Sequence, residues 1–129
     1  MTAYNVLIID DDSNDTVMTK RALSKGGFEL EVEAVACGEA ALERLRKEDD
    51  LPSLTFLDLK MPGIGGIETL RRIRADERLR NITVIILTNS LLDSDKKESY
   101  AAGADDFLHK AFDIARFGKN IKFVLERWL

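Results

Sequence analysis

Leu54-Thr55-Phe56-Leu57-Asp58-Leu59-Lys60-Met61-Pro62-Gly63 sets a short apolar run against one carboxylate and then turns the chain. A continuous apolar run of this length predicts a strand buried on both faces. Met61-Pro62-Gly63 cannot extend it, because proline lacks the ladder N–H and a Pro-Gly pair favours a turn. Asp58 is therefore expected at the rim of a sheet, facing solvent. An isolated aspartate there would do no more than cap the following loop. The flanking sequence, however, repeats the pattern.

Upstream, Tyr4 to Ile9 is apolar and β-branched and stops at Asp10-Asp11-Asp12. Downstream, Thr83 to Leu87 closes at Thr88-Asn89-Ser90, and the short run Asp106 to His109 ends at Lys110. Glu29 to Val35 differs: Leu30, Val32 and Ala34 alternate with Glu29, Glu31 and Glu33. Strict alternation leaves one face wet, which places this strand at a sheet edge.

Helical patterns separate the strands. Ser13-Asn14-Asp15 offers capping side chains before Val17, Ala22 and Leu23, and Gly26-Gly27 ends that helix. Gly38 to Lys47 turns Ala41, Leu42 and Leu45 inward. Ile67, Leu70 and Ile73 mark another helix, with Arg71, Arg72 and Arg74 expected on its wet side. A helix from about Ser94 to Ala102 leads through Gly103 to the last strand. Asp113 caps a final helix bearing Ile114, Phe117, Ile121, Val124, Leu125 and Trp128 on one face. Five strands alternating with five helices require a parallel sheet with helices on both faces. The expected fold is α/β, a flavodoxin-like (βα)5 three-layer sandwich with strand order 2-1-3-4-5.

The 129 residues suffice for one domain, residues 1–129, with no output domain expected. A net charge of -4 argues against nucleic acid as a direct partner. Cys37 is the lone cysteine, which excludes an internal disulfide and fits a reducing compartment. The start, MTAYNVLIIDDD, carries no basic leader and no run long enough to span a membrane, so the cytoplasm is the expected location.

In a parallel α/β sheet the strands' C-terminal ends share one edge, and ligands bind there at the topological switch point. Here those ends carry Asp10, Asp11, Asp58, Thr88 and Lys110. With strands 1 and 3 adjacent, three carboxylates lie side by side. Two unit charges ~5 Å apart repel by about 3 kcal/mol at an effective dielectric near 20, roughly two pKa units. A cation would relieve that repulsion, and hard oxygen ligands with room for water and phosphate suit Mg2+. One carboxylate would then remain free to attack phosphorus, while Lys110 and the Thr88 hydroxyl hold the other phosphoryl oxygens.

Ile8-Ile9-Asp10-Asp11, Leu57 to Gly63, Leu87-Thr88, Ala102-Gly103-Ala104 and Phe107-Leu108-His109-Lys110 occur in order at these strand ends. With them the chain resembles a response-regulator receiver domain of two-component signalling along essentially its whole length. The resemblance implies that Asp58 takes a phosphoryl group from a sensor histidine kinase or a histidine phosphotransfer protein. It also implies Mg2+ held by Asp11, Asp58 and the Lys60 backbone carbonyl, with Asp10 acting through a water. The ending Glu126-Arg127-Trp128-Leu129 is most similar to single-domain regulators paired with phytochrome-type kinases. Such a protein is not a conventional enzyme, although it assists its own phosphorylation and dephosphorylation. Thr88 and Phe107 match the family's switch pair.

Two positions depart from the family. Ala111 follows the lysine where proline, in a cis peptide, is usual, so a trans Lys110–Ala111 bond is expected. Asn89 replaces the small residue common after Thr88. Together with Lys60, it is expected to tune the phosphoryl lifetime.

Competing motifs are weaker. Asp10-x-Asp12-x-Asn14 opens like an EF-hand loop, but Asp15 and Arg21 stand where Gly and Glu are needed. Gly63-Ile64-Gly65-Gly66 reads as a plain turn, and His109, the only histidine, as structural. A haloacid-dehalogenase-like phosphatase would use Asp10 as nucleophile and Asp105-Asp106 as a later acidic pair, but Asn14 departs from its motif. A non-signalling flavodoxin-like module, whose acidic rim only binds metal, is the other alternative. With no output domain expected, the signal must leave through a surface. Phe123 spills past the inward face of the last helix, which makes helix 4, strand 5 and helix 5 the candidate surface for a homodimer.

Overall fold

A computed structural model describes residues 3–47, 49–110 and 113–129. Its strands are β1 (Tyr4–Ile9), β2 (Leu30–Val35), β3 (Leu54–Leu57), β4 (Val84–Thr88) and β5 (Asp106–His109). Its helices are α1 (Ser13–Ser24), α2 (Gly38–Lys47), α3 (Gly65–Ala75), α4 (Asp93–Ala101) and α5 (Ile114–Trp128). The strands form one parallel sheet in the order β2-β1-β3-β4-β5, as the alternation of elements predicts.

Strand pleating divides the apolar side chains between two cores. Leu7, Ile9, Leu57, Val84 and Ile86 face α2 and α3, where Leu42, Leu45, Leu70 and Ile73 meet them. Val6, Ile8, Phe56, Ile85 and Leu87 face α1 and α5, against Leu23, Phe117, Ile121 and Leu125. β3 and β4 are buried at every residue, which explains their unbroken apolar character. β2 lies at the edge with Glu31 and Glu33 exposed; its alternation breaks at its end, where Ala34 is exposed and Val35 packs on the α2–α3 core. No described helix is long and apolar enough to cross a membrane.

Several side chains sit elsewhere than periodicity alone suggests. Val17 and Ile114 lie near the starts of α1 and α5 and are 47% and 72% exposed. Thr19 takes the inward place on α1, because its hydroxyl bonds the Asp15 carbonyl one turn back and is satisfied there. The α1 cap is Asp12, one residue before the predicted Ser13-Asn14-Asp15, and its carboxylate accepts from the Asn14 and Asp15 amides. Asp113 caps α5 as expected. Arg74 leaves the wet side of α3 altogether: its guanidinium donates to the carbonyls of Gly103, Arg80 and Ile82 and to the Asp105 carboxylate.

Candidate phosphoryl-acceptor site

The backbone ladder runs one residue past the strands at their C-terminal ends. The Asp10 amide donates to the Val35 carbonyl, and the Asp58 amide to Ile9 at 2.9 Å. Lys110 N donates to the Thr88 carbonyl at 2.7 Å. These bonds carry Asp10, Asp58 and Lys110 onto one rim, at β1, β3 and β5. Gly66 keeps the rim compact, because a Cβ there would collide with the Asp58 carbonyl.

Lys110 Nζ lies 2.8 Å from Asp10 Oδ2, 3.0 Å from Asp58 Oδ2 and 2.9 Å from Asp15 Oδ2. All three ammonium protons thus have a carboxylate acceptor. The second oxygen of Asp10 accepts from the Asp12 amide, and that of Asp58 from the Lys60 amide. Asp58 is at the rim but only 7% exposed, so the solvent-facing carboxylate expected from sequence is instead recessed under the lysine. The cation needed to relieve the clustered negative charge is already supplied in part by the chain itself.

Electrostatics follow from this packing. Burial works against the Lys110 charge, but its hydrogen bonds to Asp10 and Asp15 and the charge of Asp58 outweigh it and hold the ammonium well above the ordinary lysine range. Burial raises Asp10 above the usual carboxylate value, and Lys110 opposes that rise without cancelling it. Asp10, Asp11 and Asp58 each offer an oxygen, and these lie within 4.8 Å of one another. Asp11 is the exposed member. An all-oxygen set of this size, open on one side, fits a hard divalent cation.

Thr88 is fully buried, and its hydroxyl accepts from the Ser90 amide at 3.2 Å. Phe107 is half-buried against the α2–α3 core, beside Ala102 and Ala104. Asn89 is exposed, and its carbonyl meets His109 Nε2 at 3.1 Å, which gives the histidine a local partner. The Lys60 side chain is 71% exposed, with its ammonium 3.8 Å from Asp95 on α4. The Lys110–Ala111 bond lies outside the described residues.

Asp15 joins the site although its sequence setting suggested only a cap. The available signal was spacing: a carboxylate in the first turn of a helix that starts at the rim lies on the same edge as Asp10. Asp105 and Asp106, by contrast, sit at the opposite end of β5, where Asp105 holds Arg74 and Asp106 accepts from Trp128 Nε1. They cannot meet Asp10, and the phosphatase alternative finds no support.

Residues 6–122 match the family model described as "Response regulator receiver domain". A probable methanogenesis regulatory protein, FilR2 of Methanothrix harundinacea, is 31% identical over 98% of this chain and 84% of its own length. The chain spans about half the length of the transcriptional regulators that it also matches. Among solved structures, the phosphorylated cyanobacterial phytochrome response regulator RcpA is 26% identical with a TM-score of 0.90, covering 98% of this chain and 94% of that one. The Mn2+-bound form of response regulator Rcp1 is 25% identical with a TM-score of 0.87, at the same coverage.

Proposed function

This chain belongs to the response regulator receiver family of two-component signalling, and on that footing we propose that Asp58 is its phospho-acceptor. The supporting observation is the recessed Asp58 carboxylate, bonded to the buried Lys110 ammonium within a rim of three further aspartates. The donor is a sensor histidine kinase, of the phytochrome type on the likeness to RcpA, or a histidine phosphotransfer protein. A carboxylate oxygen of Asp58 forms the new bond to phosphorus as the bond to the donor's imidazole nitrogen breaks.

Mg2+ would be held by Asp11, Asp58 and the Lys60 carbonyl, with Asp10 acting through water, and it would offset the charge of the incoming phosphoryl oxygens. Lys110 donates to one such oxygen with the N–H that now bonds Asp58, and remains protonated. The Thr88 hydroxyl turns from the Ser90 amide to another, and Phe107 follows it inward. Phosphorylation then needs to favour one conformer by only a few kcal/mol. Residues 1–129 act as one receiver unit in the cytoplasm, and the signal leaves by protein contact, including a homodimer through α4, β5 and α5.

Incubation with acetyl phosphate and Mg2+ tests the acceptor. One labile phosphoryl group per chain, seen by intact mass and lost in Asp58→Asn, is expected. Labelling that survives Asp58→Asn, or no labelling of the native chain, overturns the assignment. The second outcome would favour the purely metal-binding alternative.

A further inference from the structure

We infer that Asp15 is a positioning residue of the acceptor site: it holds the Lys110 ammonium toward α1, so that a divalent cation and the lysine can share Asp10 and Asp58. The observation is the division of labour among the three partners of Lys110. Two of them, Asp10 and Asp58, belong to the group of oxygens able to hold a cation. The third, Asp15, does not, and the described contact of its side chain is with Lys110 at 2.9 Å.

A divalent ion entering between Asp10, Asp11 and Asp58 draws on two of the carboxylates that the ammonium already uses, and the two cations repel each other. Lys110 cannot retreat into the apolar core. It needs a carboxylate outside the metal group, within reach and fixed in place. Asp15 meets all three conditions. Its amide is tied to the Asp12 carboxylate at 3.0 Å in the α1 cap, and its carbonyl accepts from the Thr19 hydroxyl, so the backbone that carries it is anchored at both sides. With Asp15 present the lysine keeps a full counter-charge when the ion arrives. Without it, the ammonium falls back on Asp10 and Asp58 and competes with the ion. The inference rests on the Mg2+ reading above, and it concerns binding rather than phosphoryl transfer.

The test is the Mg2+ affinity of the full chain by calorimetric titration. Asp15→Asn is expected to weaken Mg2+ by about tenfold, as the loss of a group supporting metal ligands commonly does. Asp15→Glu should restore most of the loss. Asp12→Asn removes an equal charge from the same cap without touching Lys110, while its amide oxygen still accepts from the Asn14 and Asp15 backbone N–H groups and so keeps Asp15 in place; it is expected to change the affinity less than about twofold. In a Lys110→Met background, Asp15→Asn should lose its effect, because no ammonium is left to compete. An equal loss from Asp12→Asn and Asp15→Asn, or the same loss with and without Lys110, reduces Asp15 to a distant charge and overturns the proposal. The comparison of the two aspartates needs no lysine variant and stands even if Lys110→Met does not fold. Normal Mg2+ binding by Asp15→Asn sinks this proposal alone, whereas a native chain that takes up no Mg2+ sinks the metal reading with it. Failure of acetyl phosphate labelling leaves the titration unaffected.

Discussion

Lys110 is the one cation among the described residues that is buried, and it faces three carboxylates. Removing one partner from such a cluster leaves an uncompensated charge, which is costly, while the intact cluster adds little net stability. Its worth is therefore geometric: it holds Asp58, the proposed acceptor, and the Lys110 ammonium side by side on the same rim. Lys60 and Asn89, which follow Asp58 and Thr88 at this rim, are exposed, and the proposed role for them is to slow attack of water on the phosphoryl group. Lys60→Ala and Asn89→Ala are each expected to speed loss of the phosphoryl group severalfold, measured as release of phosphate from the labelled protein. Unchanged rates in both variants would dismiss a role in lifetime.

At the scale of elements, the two ends of the sheet do different work. The C-terminal rim collects titratable side chains, and the N-terminal end is closed by Arg74. From α3, that residue spans the carbonyls before β4 and the turn before β5, while Asp105 accepts both from Arg74 and from the Val84 amide. Arg74→Leu keeps the apolar stem but strands these acceptors, so a loss of about 2–3 kcal/mol in unfolding free energy is expected from urea denaturation. Arg74→Lys should recover only part, since an ammonium cannot reproduce the planar fork. A loss below about 0.5 kcal/mol in the leucine variant would mean that water replaces these bonds at no cost.

For the whole molecule, the question is how a change at Asp58 reaches a distant surface. α4 contributes only Ser99 to the buried interior, and its approach to the site runs through Ser90, whose hydroxyl donates to Asp95 while its amide holds Thr88. α4 is thus the helix with the least core to resist a shift. On its neighbour α5, Phe123 is 64% exposed beside the buried Val124 and Leu125. Sedimentation should find a monomer without phosphate mimic and a dimer with it, the dimer being lost in Phe123→Asp. Identical sedimentation in both states would rule out this surface as the dimer interface.

Apolar periodicity in the sequence, joined to the strand orders that parallel α/β sheets adopt, determined the expected strand order, the edge position of β2 and the placing of Asp10, Asp11, Asp58, Thr88 and Lys110 at strand ends on one rim, because side-chain period and βαβ handedness leave few ways to bury such a pattern. Tertiary structure decided what periodicity cannot encode. Val17 and Ile114 sit on their helices with apolar spacing but remain exposed. Arg74 looks like a solvated arginine until the carbonyls of Gly103 and Ile82, distant in sequence, come within its reach. Asp15 reads as a cap, and becomes part of the site only when β5 delivers Lys110 across 95 positions of chain. Local pattern specifies which face a residue takes; which charges meet there depends on contacts between segments far apart in the chain, and only the assembled sheet provides them.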